Sequence, residues 1–80
     1  MKIVGIIWGG ELPLLKKACE SQKISYYLNT SIAARDEHNL KKIISNLNDA
    51  DLFIIHPSTD PFWDDVIPKI PEGIPVIPIG

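Results

Sequence analysis

The chain has 80 residues, 45% of them apolar and 22% charged, with a formal net charge of -2. That length holds one small domain with a modest core and leaves no room for a second. The weak negative charge and the scatter of lysines and arginines exclude the electrostatic footprint of a nucleic-acid binder, and no stretch nears the roughly 20 apolar residues that span a bilayer.

The opening Lys2 to Ile7 is nearly continuous in apolar residues (Ile3, Val4, Ile6, Ile7), the pattern of a strand covered on both faces and therefore central in a sheet. The apolar run is too short for a signal-peptide core, so the chain is expected to be cytoplasmic. Trp8-Gly9-Gly10-Glu11 reads as a turn, and Pro13 sits where a first helical turn tolerates a missing N–H. Leu12, Leu15, Ala18 and Cys19 then recur at helical spacing, with Lys16, Lys17 and Glu20 on the water side. Cys19, the single cysteine, has no internal disulfide partner and reads as a buried helix residue in a reducing compartment.

Ile24 to Asn29 mixes Tyr26 and Tyr27 with polar residues, as an edge strand does. Asp36 offers an N-cap to a second helix, in which Leu40, Ile43, Ile44 and Leu47 follow at i, i+3, i+4 and i+7. His38, early in that helix, reads as a solvated surface residue. Leu52 to Ile55 is another short, doubly buried strand. Asp60-Pro61 reads as a helix start, with the Asp side chain capping and Phe62, Trp63, Val66 and Ile67 on the buried side. Pro68 ends or kinks that helix, Pro71, Gly73 and Pro75 make the return turn, and Val76 to Ile79 is the last strand. Pro75 and Pro78 cannot donate ladder hydrogen bonds, which sends this strand to an edge.

Strands alternating with helices give an α/β fold: a small three-layer domain, β-α-β-α-β-α-β, with right-handed crossovers and a flavodoxin-like or Rossmann-like parallel sheet. The two apolar strands belong in the middle, so the expected order is 2-1-3-4. Residues 1–80 then form a single domain, and the halt directly after the fourth strand, before the loop where such sheets do chemistry, is expected of the N-terminal fragment of a much longer chain.

With strands 1 and 3 adjacent, the loops after Ile7 and Ile55 open side by side at the topological switch point. That makes Trp8, Gly9, Gly10, Glu11, His56, Ser58, Thr59 and Asp60 the ligand-binding candidates. Trp8 would supply a flat apolar contact, whereas Trp63 reads as core. His56 is either a metal or acid–base candidate or a side chain that satisfies backbone groups at a strand end. One histidine with one carboxylate does not make a zinc site, so no metal is assigned. The Gly-Gly spacing fits neither nucleotide-binding fingerprint, and Glu11 would repel a phosphate.

Three stretches, MKIVGIIWGGELPLLKKA, NDADLFIIHPSTDPFWDD and GIPVIPIG, resemble the extreme N-terminal segment of the cobaltochelatase large subunit, in the family that includes the magnesium-chelatase H subunit. The resemblance spans nearly the whole chain. It implies a part in ATP-dependent insertion of cobalt or magnesium into a tetrapyrrole, with AAA-type partner subunits. Under it Trp8 would stack near a macrocycle, and His56 or Glu11 would approach the metal or a ring substituent. No catalytic residue of the family transfers to a position here, and the 80 residues themselves are expected to bind no cofactor. The alternative expectation is a stand-alone, non-catalytic binding or protein-interaction domain, self-associating through the exposed last strand.

Overall fold

The computed structural model describes residues 1–80. The elements run β1 (Lys2–Ile7), α1 (Leu12–Ser21), β2 (Ser25–Thr30), α2 (Ser31–Ala34), α3 (Glu37–Leu47), β3 (Leu52–Ile55), α4 (Trp63–Val66) with a 3-10 turn at Ile67–Lys69, and β4 (Val76–Pro78). All pairings are parallel and the strand order is β2-β1-β3-β4, as the apolar runs predict.

The alternation of side chains along the central strands divides the core. Val4, Ile6 and Phe53 face one side, where they meet Ala34 of α2, Leu40, Ile43 and Leu47 of α3, and Phe62, Trp63 and Val66 around α4. Ile3, Ile7 and Ile54 face the other, where α1 contributes Cys19 as its one buried residue and Leu12 and Leu15 as partly buried neighbours. Gly5 lies in register with Leu28 and Ile54, and a Cβ there would stand 2.8 Å from Leu28 Cδ2. The missing side chain lets β2 and β3 flank β1 closely at this level.

Asp36 caps α3 as expected, its carboxylate accepting from the Asn39 N–H at 3.0 Å. At the other end of the domain two expectations fail. Asp60 does not cap α4, whose N-cap position is Phe62 with no side-chain cap, because the Asp60 carboxylate is held instead by Arg35 and Ser58. Ile67 is 61% exposed rather than buried, since the chain tightens into the 3-10 turn containing Pro68, and that change of pitch carries Ile67 off the face shared by Trp63 and Val66.

The edge placement of the proline-bearing strand holds. Pro75 and Pro78 act only as acceptors or spacers, and the ladder between β3 and β4 is closed by the Phe53 N–H donating to Pro75 O (3.0 Å) and the Ile79 N–H donating to Ile55 O (2.8 Å). No helix is long and apolar enough to cross a membrane.

Candidate functional site

The loops following β1 and β3 open next to each other at the carboxyl end of the sheet. After Ile7, the Trp8 carbonyl accepts from the Glu11 and Leu12 N–H groups at 3.0 and 3.2 Å, while Glu11 Oε1 accepts from the Trp8 N–H at 3.0 Å. This reciprocal closure fixes Glu11, which reaches across to the second loop. His56 Nδ1 lies 3.1 and 3.3 Å from its two carboxylate oxygens. A carboxylate only accepts, so the hydrogen of this bond sits on Nδ1.

The His56 ring is 3.8 Å from the Trp8 ring, centroid to centroid, with a 25° interplanar angle, and His56 is 9% exposed. Gly80, at φ +96°, closes against the same imidazole, where any side chain would collide with it. The Nδ1 of His56 is thus committed to Glu11. The ring is a stacked, carboxylate-bonded platform beneath Trp8. No group of three or more His, Cys, Asp or Glu side chains gathers here or elsewhere in the domain to make a metal centre.

Beside this stack lies an open cleft of about 570 Å³, within the usual range for small-ligand sites. Trp8, Gly9 and Gly10 line it from the first loop and Ser58, Thr59 and Asp60 from the second. Six of the eight candidates are thereby brought together on the cleft wall, while Glu11 and His56 stand behind Trp8 and hold it. Trp8 keeps 56% of its surface exposed.

The rest of the lining comes from the segment after β2, namely Thr30, Ser31, Ile32 and Arg35. The switch-point rule points to the crevice between β1 and β3, but the carboxyl end of β2 lies only about 4.8 Å further along the same edge. The signal for this third wall was local: Thr30 is an N-cap residue, its hydroxyl accepting from the Ala33 N–H at 3.1 Å, and the turn it starts delivers Arg35.

A chain of polar contacts ties the walls to the core. The buried Trp63 donates its indole N–H to Ser58 Oγ (3.0 Å), Ser58 donates to Asp60 Oδ2 (2.8 Å), and Arg35 Nε donates to Asp60 Oδ1 (2.7 Å). Arg35 first, and Ser58 after it, hold the Asp60 carboxyl below the ordinary aspartate range by bonding its charged form. Ser31 is different. It is 7% exposed, and its hydroxyl is buried with no hydrogen-bond partner. Such a group costs about 1–3 kcal/mol when left unpaired.

In comparison with known proteins, no family model, no curated protein and no solved structure matches this chain.

Proposed function

We propose that the chain is the N-terminal module of a cobaltochelatase-type large subunit, and that it serves ATP-dependent metal insertion by binding the tetrapyrrole rather than by catalysis. The two longer stretches that resemble this family, residues 1–18 and 48–65, include two of the three segments that bound the cleft. The observation that carries the reading is the stack of Trp8 on His56: an exposed indole, immobilised from behind by an imidazole that Glu11 anchors, is a preformed surface for a flat ring. Binding without chemistry is favoured because the imidazole is covered and tied down, and because the hydroxyl of Ser58, two residues on, donates to Asp60 instead of to a histidine. Cobalt or magnesium would then be cargo of the larger assembly, and ATP would belong to its AAA-type subunits.

The test is titration of the folded chain with a metal-free porphyrin or corrin, followed by the ligand's visible absorption and by tryptophan fluorescence. Saturable binding that Trp8→Ala abolishes is the expected result. No spectral change at ligand concentrations up to about 1 mM, an affinity weaker than about -4 kcal/mol, would end the tetrapyrrole reading.

The alternative, a protein-interaction module pairing through β4, rests on Val76 and Ile77, which are exposed at the sheet edge. It has less support. Pro75 O and the Ile79 N–H point at β3, so the alternation of a strand turns Val76 and Pro78 outward, and Pro78 has no N–H to offer. The free edge is blunted against strand addition.

A further inference from the structure

The cleft combines a flat apolar wall with hydrogen-bond donors that have nothing to bond. Trp8 and Ile32, its two apolar lining residues, are both largely exposed. Arg35 uses its Nε–H on Asp60, and no Nη group of that guanidinium has an intramolecular partner, although the side chain is fixed through Asp60, Ser58 and Trp63. Ser31 precedes Arg35 by four residues across one helical turn, with Arg35 itself at φ -70° and ψ -22°, so the two share a face. The buried Ser31 hydroxyl is the unpaired member of that face.

We propose that this cleft holds the carboxylate of a flat, ring-bearing acid, with the ring against Trp8 and the carboxylate received by the free Nη groups of Arg35. The inference builds on the reading of the cleft as the binding site and specifies which part of a ligand enters it. Carboxylate-bearing side chains at the rim of a tetrapyrrole are one source of that chemistry.

A guanidinium presents paired N–H donors in the geometry of a carboxylate. The balance of charge selects the anion. Arg35 is the only cation lining the cleft and Asp60 already lies against it, so a singly charged carboxylate meets less repulsion there than a multiply charged phosphate. Asp60 does not compete for the ligand's position, because Arg35 occupies one of its oxygens and Ser58 the other. It orients the arginine.

The experiment compares two acids with their uncharged amides on the intact chain: mesoporphyrin IX against its diamide, and indole-3-acetate against indole-3-acetamide. Each is titrated into the parent chain and into Arg35→Gln and Ser31→Ala, with circular dichroism confirming that the variants fold. Ser31→Ala removes an unpaired hydroxyl and is expected to fold at least as well as the parent. The acids should bind at least about tenfold more tightly than the amides, the worth of a hydrogen-bonded charge. Arg35→Gln should erase that preference, and Ser31→Ala, at a covered hydroxyl, should leave it in place. If mesoporphyrin and its diamide bind alike and Arg35→Gln changes neither, the carboxylate inference is overturned while tetrapyrrole binding stands. Arg35-dependent binding of indole-3-acetate with no binding of either porphyrin upholds the carboxylate site and defeats the tetrapyrrole reading. Binding of none of the four overturns both.

Discussion

The two faces of the sheet are built to different depths. On one, ten buried residues from β1, β3, α2, α3 and the α4 region form a continuous cluster; on the other, four do, with a single helix over them. The deep face also carries the Trp63 indole that anchors Ser58 and so the cleft wall. Rigidity at the site therefore derives from one side of the sheet, and the shallow side has only to cover β1 and β3. A binding surface on a domain this small is steadied by concentrating the core behind it.

Neighbouring residues of β1 test that asymmetry most strongly. Ile6 and Ile7 are both fully buried but point to opposite faces. Truncation to alanine costs about 2–5 kcal/mol at buried isoleucines, more where the surroundings cannot collapse into the void. Ile6→Ala should lie at the upper end, and Ile7→Ala, beneath one helix, at the lower, as read from urea midpoints. Equal losses would remove the distinction between the faces.

Gly5→Ala places a methyl group on the shallow face against Leu28, a half-buried residue of the edge strand β2. Overpacking costs about 1–3 kcal/mol, and the freedom of Leu28 to turn aside predicts a value near 1. A loss beyond about 3 kcal/mol would mean that β2 is held as firmly as the deep core.

Asp36→Ala sharpens the picture on the deep face. It removes the side-chain cap of α3, worth about 1 kcal/mol, and thermal unfolding should move down accordingly while the Asp60 contacts at the cleft wall are unchanged.

The smallest effect is the pH response of the polar chain at the site. The native Asp60 carboxyl is depressed below its unfolded value of about 3.9 by Arg35 and Ser58. Its contribution to stability is thus present above that unfolded value and is lost as pH falls through the lower native one. Carbon-detected NMR titration should find Asp60 titrating below the ordinary range, and Arg35→Gln should move it upward. An unshifted Asp60 would mean that the Arg35 contact is not maintained in solution, and the cleft wall would lose its anchor.

Much of this architecture is legible along the chain. The runs at Ile3 to Ile7 and Leu52 to Ile55 place β1 and β3 in the centre, and Asp36 with Leu40, Ile43 and Leu47 marks the start of α3 and its buried side. The switch-point argument reaches six cleft residues for the same reason, since it follows from strand order alone. What escapes it is Ser31 and Arg35, and the true partner of Asp60. Asp60-Pro61 has the local chemistry of a helix start, yet an arginine 25 residues earlier takes the carboxylate. A guanidinium brings a full opposite charge to the carboxylate where a backbone amide brings only a dipole.

The amino-acid sequence by itself determined the four strands, a helix in each of the three crossovers and the central pair of strands, though not the extra helix α2, because apolar periodicity, proline and capping chemistry act within a few residues. Tertiary structure alone decided the pairing of Glu11 with His56, the seating of Trp8 on that imidazole, and the arrival of Arg35 and Ser31 at the cleft. The first of those contacts joins segments 45 residues apart, beyond the reach of any local pattern. They exist because the parallel sheet brings three loops to one edge, where the side chains that meet are chosen by distance in space.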